Sequence, residues 1–191
     1  MNTLQTIISQ FDWRILDAIQ TLRSGFLDSF MPKVTVLGNA GIFWILLSLL
    51  LICYPKTRKC GLTMALALAA ALVLGNFILK PGVARLRPFL ADTSIALLIP
   101  PPEDFSFPSG HTYAGIASAI VLWRYNWKVG IPAMVLAILI AFSRMYLQVH
   151  FPTDILGGVI LGILCAALAI WLAGLLEKRR QNTVSKIRKD E

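Results

Sequence analysis

The feature that narrows this chain most is a series of long runs with no formal charge: residues 34–55, 61–79, 129–143 and 155–176. A helix needs about 20 mostly apolar residues to cross a bilayer. In hydrocarbon every backbone N–H and C=O must be satisfied within the protein, so such runs fold as helices. Apolar residues make up 57% of the 191 positions and charged residues 15%, against about a quarter charged in soluble domains. The expected fold class is all-α, a polytopic membrane bundle of about five transmembrane helices. The expected spans cover about 33–54, 61–79, 109–125, 129–147 and 155–176.

Ahead of them, Leu4, Ile7, Ile8, Phe11, Ile15, Ile19 and Leu22 recur at helical spacing, interrupted by Asp12, Arg14, Asp17 and Arg23. This pattern predicts an amphipathic interfacial helix lying on the membrane. Packing of that helix against the bundle is the alternative. The chain thus divides into the interfacial helix (1–24), a membrane-embedded domain (25–178) and a basic tail (179–191). Gly158 and Gly162 form a pair of small residues that permits close helix packing in the last span. No basic stretch followed by an apolar core marks a cleaved leader at the N-terminus.

The net charge is +8, but the cations sit in short loops and the tail, and no nucleic-acid-binding module is present. Loop 55–59 carries Lys56, Arg58 and Lys59; loop 124–128 carries Arg124 and Lys128; Lys178, Arg179, Arg180, Lys186, Arg188 and Lys189 follow the last span. Five spans put all three on one side, which the positive-inside rule makes cytoplasmic. Segment 81–108, turn 147–154 and the N-terminal helix then face outward. Cys53, Cys60 and Cys165 fit no metal or redox spacing and imply no disulfide.

Ionisable groups at membrane depth need partners or a wet cavity, so each is a functional candidate. Lys80, Arg87, His111, Arg144 and His150 stand in or beside the apolar runs, in three clusters on the outward side. Pro108-Ser109-Gly110-His111 opens the third span, where free backbone N–H groups make an anion site. Ser109 can cap that helix and donate to a phosphate oxygen, or act only as the cap. Asp154 lies four positions after His150 and can accept one ring N–H, leaving the other nitrogen as a nucleophile. It can also serve as a charge near a helix N-terminus. Arginine forks grip phosphate in pairs and lysine acts as a point charge, which suits Arg87, Arg144 and Lys80. Arg85 reads instead as a contact to lipid headgroups, with its stem along apolar surface.

Lys80-x6-Arg87-Pro88, Pro108-Ser109-Gly110-His111 and Ser143-Arg144-x5-His150-x3-Asp154 together resemble the three-part signature of the type-2 phosphatidic acid phosphatase superfamily, over about residues 25–176. The resemblance implies His150 as a nucleophile forming phosphohistidine, Asp154 as its orienter and His111 as the acid for the leaving oxygen. It implies Lys80, Arg87, Arg144, Ser109 and the Gly110 backbone as phosphate holders, with no metal or other cofactor. The chain departs from members with six spans, since residues 3–22 stand where a first span would be. Its short plan is most similar to bacterial undecaprenyl pyrophosphate phosphatases. That implies a bacterial plasma-membrane enzyme, with a site facing outward and a cytoplasmic C-terminus. The implied partners are a lipid phosphate or pyrophosphate and the membrane lipids, with no nucleic acid. Phosphotransfer to another hydroxyl, vanadate-dependent halogenation and non-catalytic lipid phosphate binding are competing functions. Tail identity, phosphate number and oligomeric state are not written in the sequence.

Overall fold

The computed structural model describes residues 3–190. The side chains of Arg180, Lys186, Arg188 and Lys189, four cations of the expected basic tail, lie outside the described residues. Helix α1 spans Thr3–Gln20. Helices α2 (Gly25–Val36) and α3 (Ile42–Cys53) follow, separated by a break at Asn39–Gly41. Then come α4 (Arg58–Leu72), a π-helical stretch Val73–Leu79, and the short helices α5 (Lys80–Val83) and α6 (Pro88–Ala91). Helices α7 (Gly110–Tyr125), α8 (Trp127–Tyr146) and α9 (Pro152–Asp190) complete the fold.

Among the described residues, four helical stretches are long and apolar enough to cross a membrane: Gly25–Cys53, Arg58–Ala91, Trp127–Tyr146 and Pro152–Arg179. The expected third span, α7, has 16 residues. It runs from the motif pole to the cationic pole and is also the hub, packing against α4, α8 and α9. Thr112 through Ala119 on it are all buried. Burial is why its periodicity is weak: a helix enclosed all round needs no polar face. The small-residue pair on α9 serves that enclosure. A Cβ on Gly158 would stand 2.8 Å from Thr112 Cβ, and one on Gly162 would stand 2.9 Å from the Tyr113 carbonyl oxygen. Outside this core, Leu46, Leu50, Leu62, Val135, Ile138, Leu156, Ile160 and Leu164 are exposed and apolar, as expected of surface facing lipid.

The first span begins earlier than the apolar run suggested, because the Ser24 hydroxyl accepts from the Leu27 N–H and starts α2 at Gly25. It then breaks where Ala40 and Gly41 take positive φ angles of 49° and 67°, a region glycine enters without strain. The break sets Asn39 beside the start of α7. At the other end of the bundle, Thr63 and Tyr125 share a hydrogen bond of 2.9 Å and Lys59 pairs with Glu177. These contacts gather the starts and ends carrying the cationic loops at one pole. The motif clusters stand at the other.

Helix α1 packs on that second pole. Asp12 and Leu16 have no exposed surface and Ile19 is buried, while Ile7, Ile8, Phe11 and Leu22 stay exposed. One face of the amphipathic helix is therefore committed to the bundle.

Candidate active site

Eight side chains or backbone groups were expected at the site, and the fold brings seven of them to one polar region. Lys80 arrives through the π-helical stretch and sits inside the continuous helix, at 6% exposure. Arg87 is 2% exposed and fixed at every nitrogen. Its Nε donates to the Asp104 carbonyl (2.8 Å) and Nη2 to Asp104 Oδ1 (2.5 Å). Its Nη1 donates to the Val149 carbonyl (2.6 Å) and stands 3.2 Å from His150 Nε2. Lys80 Nζ pairs with the second oxygen of Asp104.

Arg144 reaches in from the end of α8, donating from Nη1 to Thr35 Oγ1 at 2.6 Å. Its Nε is buried and has no hydrogen-bond partner among the described residues. Lys80, Arg87, Gly110, His111, Arg144 and His150 line one cavity of about 310 Å³, with Asn39, Thr35 and Asp104 in its wall.

His150 lies in the turn between α8 and α9 at 1% exposure. Arginine has no acceptor, so Nε2 of His150 accepts from Arg87 and the ring proton belongs on Nδ1. Burial first, then the charges of Arg87, Arg144 and Lys80, hold this imidazole well below the usual histidine range. The ring is thus neutral, and it lines the cavity beside Arg87.

The expected contact from Asp154 to the ring is looser than a hydrogen bond: Nδ1 and Oδ2 are 3.6 Å apart. Ser106 stands between them. Its hydroxyl donates to Asp154 Oδ2 at 2.5 Å and lies 3.4 Å from His150 Nδ1. The Phe151 N–H also donates to Oδ2, at 2.8 Å. The carboxylate reaches the ring through a serine that the motif spacing did not single out.

The reading of Arg85 as a headgroup contact is overturned. Its guanidinium donates to Asp154 Oδ1 at 2.6 Å and to Asp12 Oδ2 at 2.5 Å, and lies 4.2 Å from the centre of the Phe151 ring. Asp12 holds Thr153 as well, accepting from its N–H (2.9 Å) and its hydroxyl (2.7 Å). A guanidinium with two carboxylates in fork range is better satisfied inside than at the membrane surface. The N-terminal helix therefore reaches the catalytic candidates through a buried carboxylate.

His111 is held differently. Its Nε2 is 3.0 Å from Asn39 Oδ1. A Cβ on Gly38 would fall 2.4 Å from the imidazole Cδ2, so the absent side chain at position 38 is what gives the ring room. Ser109 departs from expectation. It is fully buried, makes no side-chain cap, and its hydroxyl receives the Thr112 hydroxyl at 3.0 Å. Its backbone N–H instead donates to the Asp154 carbonyl at 3.1 Å, tying α7 to α9. The cavity beside it is lined by Gly110, not by Ser109.

A second cavity, about 450 Å³, adjoins the first and shares Lys80, Asp104, Gly110 and His111 with it. It runs between α3 and α4 past Ile45, Leu49, Leu68 and Leu72.

The PAP2 superfamily profile matches residues 60–177. The chain is 36% identical to an undecaprenyl-diphosphatase of Sulfolobus acidocaldarius over 66% of its own length and 62% of that protein. It is 32% identical to the undecaprenyl-diphosphatase BcrC of Bacillus subtilis over 86% of each chain. The crystal structure of a transmembrane PAP2-type phosphatidylglycerolphosphate phosphatase from Bacillus subtilis superposes with a TM-score of 0.71 at 32% identity, over 93% of this chain and 88% of that one. With motif, fold and relatives in agreement, this chain belongs to the PAP2 superfamily. Within it, the chain is a multi-pass membrane phosphatase.

Proposed function

We propose that the chain removes phosphate from a lipid phosphate or diphosphate, of the undecaprenyl diphosphate or phosphatidylglycerol phosphate type, through a phosphohistidine on His150. One observation carries this reading: a pocket with three cations and a neutral histidine opens into an apolar cleft large enough for part of a lipid chain. The relatives and the superposed structure support a substrate of this type by their names.

In this reading the phosphoryl group enters among Lys80, Arg87, Arg144 and the Gly110 N–H. Charge on its equatorial oxygens is met there by groups already in place. The free Nε of Arg144 supplies one donor. His150 Nε2 attacks phosphorus while the Nδ1 proton stays with Ser106 and Asp154, which stabilise the cationic ring. His111, on the cleft side, gives a proton to the leaving oxygen and later takes one from water, restoring His150.

The pole that holds the site is opposite the cationic loops, which supports an outward-facing site and a cytoplasmic C-terminus. Cysteine placed at Asp92 should react with an impermeant thiol reagent in intact cells, and cysteine at Thr57 should not. The deciding experiment measures phosphate release by purified protein from undecaprenyl diphosphate, phosphatidylglycerol phosphate, phosphatidic acid and a soluble ester, with and without EDTA. Release from a lipid substrate that survives EDTA is expected. Loss in EDTA with recovery on adding magnesium would overturn the mechanism.

A further inference from the structure

Among the described residues, Asp104 is the one carboxylate that lines both cavities, and the proposed mechanism gives it nothing to do. It belongs to the loop between α6 and α7, with half of its side chain exposed. Its two oxygens are divided between Lys80 and Arg87, and its own carbonyl accepts from Arg87 Nε. Burial alone would push this carboxyl up. The hydrogen bond and charge of Lys80, then those of Arg87, bring it down to about 2, so it is ionised at any working pH.

Two of the three cations expected to grip phosphate therefore already grip an anion that is part of the chain. A phosphate seated on Lys80 and Arg87 meets a full negative charge in the same place, and like charges so close disfavour one another. Lys80 and Arg87 are almost wholly enclosed, whereas Asp104 has solvent beside it. The carboxylate is the partner that can move.

Resting on the phosphatase reading, we propose that Asp104 is a resident competitor for the phosphate site. It occupies Lys80 and Arg87 between turnovers, yields to the substrate phosphate, and returns to displace product phosphate. A lipid substrate brings the apolar cleft as extra binding surface and can overcome this competition. Free phosphate lacks that surface and cannot. Asp104 would thus set selectivity for lipid-linked over free phosphate.

The test uses full-length protein in detergent, with a soluble phosphate ester as reporter and inorganic phosphate and orthovanadate as competitive probes. Asp104→Asn keeps the shape and removes the charge; it should lower the inhibition constants of both probes at least tenfold. Asp104→Glu keeps the charge and should stay within about threefold of the parent. Adding Lys80→Ala to Asp104→Asn should cancel most of the gain. Asp104→Ser serves as a second neutral variant. Inhibition constants that stay equal or rise in the neutral variants would overturn the proposal, making Asp104 a brace that holds the two cations in place. Failure of both neutral variants to fold would overturn it as well. A parent protein that neither hydrolyses the ester nor responds to vanadate would sink the phosphatase reading itself, which is a different result.

Discussion

The two histidines line one cavity, and their surroundings are built on different terms. His150 is sealed in a network running from Arg87 through Ser106 and Asp154 to Arg85 and Asp12. His111 has, among the described residues, one side-chain hydrogen bond, to Asn39, a missing side chain at Gly38, and the wide apolar cleft. The contrast follows the chemistry proposed for each. Attack on phosphorus has the same geometry whatever lipid carries the phosphate, so rigidity costs nothing there. A leaving oxygen sits at a position that depends on the tail, so its proton donor stands at an open wall.

The largest expected effect tests the sealed side. His150→Ala should reduce turnover by about 10,000-fold or more, as loss of a nucleophile does. It should also abolish acid-labile phosphohistidine in rapid-quench experiments with labelled substrate. Label still trapped on histidine in that variant would reverse the roles assigned to the two sides.

His111→Ala comes next, with a loss of roughly 100- to 10,000-fold, the usual worth of general acid catalysis. The loss should shrink for esters with good leaving groups, whereas that of His150→Ala should not. Equal sensitivity of both variants to the leaving group would erase the contrast.

Asp12→Asn probes the far end of the network. Removing one charge from a buried pair leaves Arg85 short of a partner and should cost about 3 kcal/mol of stability. Catalysis should fall by about 10- to 100-fold, as for supports one step behind a reacting group. The fall should appear in kcat, with KM near that of the parent. A loss confined to KM would sever α1 from the chemistry.

On the open side, Gly38→Ala drives a methyl into the His111 ring. It should cost about tenfold, a little more than one kcal/mol of barrier, and only with poor leaving groups.

The smallest effect is a shift in pH dependence. His150 must be neutral to attack, and its surroundings disfavour the protonated form, so protonation sets in at lower pH than for an ordinary histidine. The acid limb of kcat/KM, which reports the free enzyme, should fall below the usual midpoint of about 6.5. A limb at or above that value would mean the ring is less enclosed than the structure has it.

The groups that line the cavity were legible because charge is rare in apolar runs: Lys80, Arg87, His111, Arg144 and His150 stand out by cost alone. Their supports were not. Asp12 meets Thr153 across 141 positions and Arg144 meets Thr35 across 109, and no periodicity links such pairs. Asp12 looked like an interruption of an amphipathic stripe, and Arg85 like a headgroup contact, because each was read without its partner. Ser106 and Asp104 lie in a loop, where residue type gives no hint of direction. The spans were legible as runs but not as shapes. The break at Asn39–Gly41 and the enclosure of α7 depend on neighbours, and an apolar run does not say whether it faces lipid or protein.

The π-helical stretch Val73–Leu79 makes the winding of the backbone part of the candidate site. A π turn holds one residue more than an α turn does. The same residues wound as regular α-helix would rotate all that follows by about 100°. Lys80 would then swing away from Asp104 and Arg87. No letter would have changed, so hydropathy would read the same membrane span, and the pocket would have lost its lysine.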